Sequence, residues 1–178
     1  MAFGPGTHSL GPQQGTLTVH TQRTGAAAKA GHNLVLDVTA WQATVEAGDD
    51  PAKLKIELTA DATSLRVREG SGGMQALGDD DKASIEQTIG DEVLNGQAIE
   101  FRSTSVQAAD NGRLTVQGDL TLAGATRPIT VDLTVDEGRI GAHAVVKQTA
   151  WGITPYSTLF GALKVADEVE VQIEAGLP

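Results

Sequence analysis

The sequence of 178 residues contains no cysteine. This absence excludes disulfide bonds, thiolate nucleophiles, zinc–thiolate sites and iron–sulfur clusters. Aromatic residues are also scarce, at 3% of the chain. No apolar run approaches the roughly 18–20 residues that a membrane-spanning helix requires. The length is typical of a single domain.

Positive charge is scarce as well. Lys and Arg number 13 against 23 Asp and Glu, so the formal net charge is -10. Binding to nucleic acid or to anionic membranes through bulk charge needs clustered cations, and this composition therefore disfavours both. The first 14 residues have no basic cluster and no apolar block, so no secretory signal is visible. We expect a cytoplasmic protein, or a periplasmic or exported one if a leader was removed.

Recognisable catalytic motifs are missing. The chain has no Gly-x-Ser-x-Gly elbow, no phosphate-binding loop and no dinucleotide fingerprint, which favours a protein that is not an enzyme. No His-x-His or His-x-x-x-His pattern is present either, and we predict no metal site. A barrel could still bring His20, His32 and His143 together, so they are weak metal candidates. Ordinary surface or loop histidines are the alternative.

The dominant pattern is an alternation of apolar and polar residues. In residues 53–60, for example, Leu54, Ile56 and Leu58 share one face and charged side chains occupy the other. Because successive side chains of a strand point to opposite faces, this period of two predicts antiparallel strands with one dry side. About eight or nine such strands can hide their dry sides in a barrel or a sandwich. The other predicted strands are 16–21, 33–40, 41–47, 98–106, 113–122, 129–135, 139–148 and 168–175.

One stretch breaks this alternation. Ile85, Ile89 and Val93 recur at a spacing of four after three consecutive aspartates at 79–81. The spacing predicts an α-helix at about 80–95, with an Asp as its N-terminal cap. Three adjacent carboxylates could instead hold a hard cation, but a calcium loop needs ligands at alternate positions, so capping is the better explanation.

Three further segments carry weaker signals. Pro155, Leu159 and Leu163 predict a short helical turn near 155–163. Residues 69–78 are rich in glycine and predict a mobile loop, and a turn is predicted at 124–128. Residues 1–14 are predicted to be a flexible N-terminal segment, and residues 15–178 a single domain.

Three stretches resemble the YceI family of lipocalin-like proteins. Residues 99–106 resemble its apolar-x-Phe-x-Ser-Thr strand, and residues 118–129 its Gly-x-Leu-Thr-apolar-x-Gly-x-Thr-basic-Pro-apolar signature. Residues 151–169 resemble its closing Phe-Gly-Ile and Asp-x-Val pair, with Trp151 where Phe is usual. Residues 31–33 extend the likeness, although Leu34 stands where some relatives have a second histidine.

The resemblance implies an all-β fold, namely an eight-stranded antiparallel lipocalin-like barrel that is often a homodimer. It also implies binding, transport or sequestration of a long apolar molecule, such as an isoprenoid, an isoprenoid quinone or a similar lipid. A co-purified isoprenoid or fatty-acid-like lipid would then be the only expected cofactor. The residues predicted to face the lumen are Leu34, Leu36, Val38, Leu54, Ile56, Leu58, Phe101, Leu120, Leu122, Val131, Leu133, Ile153, Tyr156 and Phe160.

Lys29 and Arg127 are the predicted partners of a ligand head group. Two other functions stay open at this point. One is a barrel enzyme or metal-dependent protein that acts on a small apolar substrate through converging histidines. The other is an interaction or stress module whose lumen is filled by Trp41, Trp151 and leucine side chains.

Overall fold

The computed structural model describes residues 4–73, 75–158, 161 and 163–177. Within these residues, one α-helix, α1 (Asp79–Thr88), continues as a π-helical turn, Ile89–Val93. Short 3-10 turns lie at Ala28–Ala30, Pro51–Lys53 and Gln148–Trp151. The strands are β1 (Gly6–Leu10), β2 (Gly15–Thr21), β3 (Arg23–Thr24), β4 (Asn33–Val38), β5 (Trp41–Ala47), β6 (Lys55–Ala60), β7 (Leu65–Ser71), β8 (Ile99–Ala108), β9 (Arg113–Leu122), β10 (Ala125–Asp136), β11 (Arg139–Lys147), β12 (Ser157–Thr158), β13 (Leu163–Val165) and β14 (Glu168–Gly176).

The large sheet curls into a barrel through three interrupted strands. Its order is β1-β5-β6-β8-β9-β10-β11-β14-β2-β4-β7, and neighbouring strands are antiparallel. Short breaks in the chain join the first three strands of this order to the last three. Along the chain, β1 leads into β2, β4 leads into β5, and β6 leads into β7. Because each break is short, the two ends of the order must lie side by side. The eleven segments differ from the predicted eight, but counting each interrupted pair as one strand reduces them to eight.

Hydrogen bonds keep the sheet continuous where two of these strands bend. The amide of Thr39 donates to the carbonyl of Ser64 at 3.0 Å, and the amide of Asp61 donates to the carbonyl of Ala40 at 3.0 Å. The Asp61 carboxylate accepts from the hydroxyl and the amide of Thr63 at 2.7 and 2.8 Å. These two hydrogen bonds lower the pKa of Asp61, since they stabilise its charged form. The bend is therefore a defined turn at which both strands change direction together.

The core follows from the alternation seen in the sequence. In β9, Leu114, Val116 and Leu120 are buried, and the polar residues between them are more exposed. In β10, Leu133 and Val135 are likewise buried, and the polar residues next to them are exposed. Each strand therefore turns its apolar face inward, and these faces form one contiguous hydrophobic core.

The structure contains strands where the sequence predicted loops. β1 lies in the segment predicted to be flexible and pairs with β5, and β7 includes the start of the predicted loop 69–78. The predicted turn at 124–128 is shorter than expected. Ala123 and Gly124 alone form it, with φ values of 50° and 82°. Arg127 and Pro128 already lie within β10. A hairpin of two residues with positive φ matches the twist of the adjoining strands, which lets pairing begin at Ala125.

The predicted helix is present, with a different cap. Its N-cap is Gly78 rather than an Asp, and the carboxylate of Asp81 accepts a hydrogen bond from the Gly78 amide at 3.0 Å. The predicted helical turn near 155–163 is wrong at its described ends, where Ser157–Thr158 and Leu163 lie in strands β12 and β13. Leu159 and Phe160 lie outside the described residues. None of the described helices is long and apolar enough to cross a membrane.

Gly118 allows the ring of Phe101 to pack across two neighbouring strands. A β-carbon at Gly118 would lie 2.5 Å from the carbonyl oxygen of Arg102 and 2.6 Å from two ring atoms of Phe101. Both positions are buried. A side chain at residue 118 would therefore displace either the backbone of β8 or a ring in the barrel interior.

We predict that Gly118→Ala lowers the free energy of unfolding by about 1–3 kcal/mol, the usual cost of overpacking a core. Urea denaturation monitored by circular dichroism measures this change. Gly48→Ala is the matched control, because a β-carbon there meets no atom within 4 Å. Equal stability of the two variants would contradict this account of Gly118.

Candidate functional site

The barrel contains an internal cavity of about 510 Å³. Its wall consists mainly of aliphatic side chains from the inward faces of the strands, among them Leu36 on β4, Val131 on β10 and Val171 on β14. A cavity of this size and chemistry can exclude water around an apolar guest.

Two elements outside the large sheet also line the cavity. Ser84, Ile85 and Thr88 of α1 face the cavity, and so do side chains from the small sheet β12-β13-β3. At the small sheet, two residues that line the cavity are accessible to solvent, since Tyr156 is 49% exposed and Lys164 is exposed as well. The cavity therefore reaches the surface here, and we call this end the mouth.

The predicted lumen residues are located on the cavity wall with two exceptions. Leu54 is buried, with 4% of its surface exposed, but it does not line the cavity. It precedes β6 and closes the 3-10 turn Pro51–Lys53. Phe160 lies outside the described residues. The residues found on the wall are Leu34, Leu36, Val38, Ile56, Leu58, Phe101, Leu120, Leu122, Val131, Leu133, Ile153 and Tyr156.

The predicted head-group residues lie elsewhere. Lys29 is exposed on a 3-10 turn and does not line the cavity. Arg127 is exposed and does not line the cavity, and its Nε donates to the carbonyl of Ala150 at 3.3 Å. The described residues with permanent positive charge that line the cavity are Arg23 on β3 and Lys164 on β13, and neither is predicted from the sequence. Strands of two and three residues are too short to show a period of two.

The three candidate histidines have separate partners. His20 shares a hydrogen bond of 3.1 Å with the hydroxyl of Thr18. His143 lies 3.9 Å from the carboxylate of Glu170, which pairs with His20 across β14 and β2. His32 lines the mouth and donates from Nε2 to the carbonyl of Gln75 at 2.6 Å. In the part of the chain that the structure describes, no three acidic or histidine side chains group as metal ligands.

Neither tryptophan fills the lumen. Trp41 is buried on the cavity wall. Trp151 is buried but does not line this cavity, and its indole N–H donates to the carbonyl of Leu120 at 2.8 Å. The lumen thus retains open space beside its own side chains.

A hydrogen-bonded clamp between Asp167 and Thr149 lies beside Gln148, one of the polar residues on the cavity wall. The carboxylate of Asp167 accepts from the amide and the hydroxyl of Thr149 at 2.8 and 2.6 Å. The neighbouring Gln148 is buried, lines the cavity, and donates from Nε2 to the carbonyl of Ala166 at 3.0 Å. The hydroxyl of Thr149, followed by its amide, holds the pKa of Asp167 below its usual range, and the charge of Lys147 adds to this effect.

An antiparallel barrel with an apolar internal cavity defines a lipocalin-type architecture. A model of the YceI-like domain matches residues 12–177, which is most of the chain. The protein therefore belongs to the YceI family. No curated protein matches the sequence.

Solved structures of the same type share the fold. The crystal structure of Burkholderia cenocepacia BcnA is similar with a TM-score of 0.66 and 18% identity, over 90% of this chain and 94% of that one. A Campylobacter jejuni YceI protein is similar with a TM-score of 0.58 and 16% identity, over 80% and 84% of the two chains. A mutant of that protein with a monobromobimane guest has a TM-score of 0.59 and 15% identity, over the same shares. At these identities the likeness concerns the fold alone.

We predict that Asp167→Asn lowers the melting temperature near neutral pH, because an amide offers Thr149 only one acceptor atom. Since the pKa of Asp167 is lowered in the folded state, its stabilising effect is present above the unfolded pKa and is lost as the pH falls through the folded one. The difference from the wild type should therefore shrink in acid. Thermal unfolding across a pH series measures it, with the exposed Asp132→Asn as control. A difference that stays constant as the pH falls would contradict the clamp.

Proposed function

We propose that this protein binds a long apolar molecule in the barrel lumen and carries or sequesters it without catalysing a reaction. The cavity carries the proposal, since it has a volume of about 510 Å³ and mainly aliphatic walls. Ligand cavities in proteins typically have volumes of about 300–1,000 Å³ and apolar walls with a few polar groups. Membership in the YceI family supports isoprenoids, isoprenoid quinones and related lipids as guest classes.

The cavity volume limits the length of the buried chain. At roughly 30 Å³ per non-hydrogen atom, the share of a water molecule in the liquid, 510 Å³ holds about 17 such atoms. This corresponds to three or four isoprene units, or to a straight chain of similar carbon number. Burying about 15 carbons contributes about 12 kcal/mol before the costs of association, which are of order 4–15 kcal/mol. A guest of this length can therefore bind usefully, and a longer chain would extend through the mouth.

The absence of catalysis is part of the proposal. It is supported by the partners of His20 and His32, which are a threonine hydroxyl and a backbone carbonyl, and by the solvent exposure of both members of the His143–Glu170 pair. Formation of a homodimer and a cytoplasmic location stay predictions from the sequence.

We predict that affinity for neutral isoprenoid alcohols rises steeply from 10 to 15 carbons and levels off beyond about 20, because further carbons lie outside the cavity. Isothermal titration calorimetry with geraniol, farnesol, geranylgeraniol and a longer polyprenol measures this series. Organic extraction and mass spectrometry of the purified protein provide an independent check for a resident lipid. Failure of every alcohol to bind, together with an empty extract, would overturn the proposed function.

We predict that filling the lumen weakens ligand binding. Ala142 on β11 lines the cavity, and Val145 on the same strand points outward and is 45% exposed. Ala142→Phe should weaken farnesol binding at least tenfold, about 1.4 kcal/mol, and Val145→Phe should leave it unchanged. Ala142→Leu is a milder second variant, and thermal unfolding confirms that each variant is folded. Unchanged affinity in a folded Ala142→Phe variant would place the ligand outside the barrel.

A further inference from the structure

We propose that the guest carries an anionic head group, a carboxylate or a phosphate, and that Arg23 binds this group at the mouth of the cavity. The inference rests on the proposed function, since it assigns a head group to the apolar guest. It replaces Lys29 and Arg127, the residues suggested by the sequence, with a cation that the fold places on the cavity wall.

The cavity wall has a charge balance opposite to that of the chain. Asp and Glu outnumber Lys and Arg by 23 to 13 in the sequence. Yet the described residues that line the cavity include Arg23 and Lys164 and no Asp or Glu. The residues outside the described ranges have no acidic side chain that could alter this count. An acidic protein therefore presents only cationic charge, apart from histidine, to a guest in its lumen.

The guanidinium of Arg23 is held in place at the mouth. Its Nη1 donates to the carbonyl of the buried Gly31 at 2.7 Å, and the backbone amide of Arg23 donates to the side-chain oxygen of Asn33 at 2.9 Å. Gly72 packs so closely on the guanidinium that a β-carbon there would collide with it. The side chain is therefore positioned before a ligand arrives, which reduces the entropy that binding must remove.

The charge of Arg23 has no carboxylate partner among the described residues. The ion pairs within 4.0 Å in this part of the chain involve Arg68, Arg102 and His143 instead. A guanidinium has five N–H donors, and among the described residues the backbone carbonyl of Gly31 is the one acceptor for the side chain of Arg23. The side chain is half-buried against an apolar wall, where an unpaired charge is costly. A planar carboxylate or a phosphate oxygen pair fits the remaining donors.

Neighbouring groups favour the same chemistry. Lys164 lies on β13 beside Val165, the residue that pairs with Arg23, so two cations occupy adjacent strands at the mouth. His32 also lines the mouth, but its Nε2 is already bonded to the carbonyl of Gln75. Arg23 is therefore the group best placed to bind the head, and the exposed Lys164 adds positive charge from the opposite face of the small sheet.

The test compares guests that differ only at the head. Palmitic acid is paired with hexadecanol, and farnesyl phosphate with farnesol, and each is titrated calorimetrically into the wild type, Arg23→Gln, Arg23→Lys and Lys29→Gln. We expect the wild type to bind the better anion at least tenfold more tightly than its alcohol. Arg23→Gln should remove this preference, so that each anion and its alcohol bind within about twofold of one another, whereas Arg23→Lys should retain part of the preference. Lys29→Gln removes the same charge from a residue off the cavity wall and should behave as the wild type.

The outcomes distinguish a failure of the head-group inference from a failure of the proposed carrier function. A preference for palmitic acid alone identifies a carboxylate, and a preference for farnesyl phosphate alone identifies a phosphate. Equal binding of both anions and their alcohols would overturn the head-group inference and leave the apolar carrier intact. The role of Arg23 would be overturned if the preference for the anion over its alcohol persisted in Arg23→Gln. It would also be overturned if Lys29→Gln reduced this preference as much as Arg23→Gln does. If none of the four guests binds, the inference fails together with the proposed function.

Discussion

The closure of the sheet through three interrupted strands is the constraint on which the remaining structure depends. Each of these strands pairs with one end of the sheet before its break and with the other end after it. Closure turns every dry face inward, removes long exposed edges and leaves a lumen whose width is set by the number of strands. The cavity is thus a geometric result of the topology, and side chains only determine how much of it they fill.

Strand phase carries most of the information that the sequence holds about this fold. The strands predicted at 41–47 and 113–122 coincide with β5 and β9, because both alternate without interruption. β1 could not be predicted in this way, since it is short and its partner, β5, lies far along the chain. The sequence did not predict β7 as a strand. Its last residues belong to a glycine-rich segment that reads as a loop, and their pairing with β4 places them in the sheet. Local patterns predict elements, but they do not report pairing that depends on tertiary contacts.

The same distinction separates the predicted from the unpredicted parts of the site. Residues such as Leu36 and Val131 could be assigned to the lumen, because alternation determines the face on which each side chain lies. Leu54 has the right phase but precedes its strand, where a turn directs it away from the cavity wall. Arg23 lies on a strand of two residues whose position is set by pairing with β13, a contact between residues distant in sequence. Only the assembled fold therefore shows which cation reaches the guest.

The distribution of charge then determines where selectivity for a head group can arise. The outer face of β14 carries Glu168, Glu170 and Glu174, and the whole chain has a net charge of -10, so its long-range field repels an anion. At physiological ionic strength, this repulsion is screened beyond about 8 Å. A guanidinium against an apolar wall acts at contact distance, where hydrogen bonds to a charged oxygen are short and strong. An anionic guest would thus approach without electrostatic steering, and Arg23 would act mainly by slowing its release.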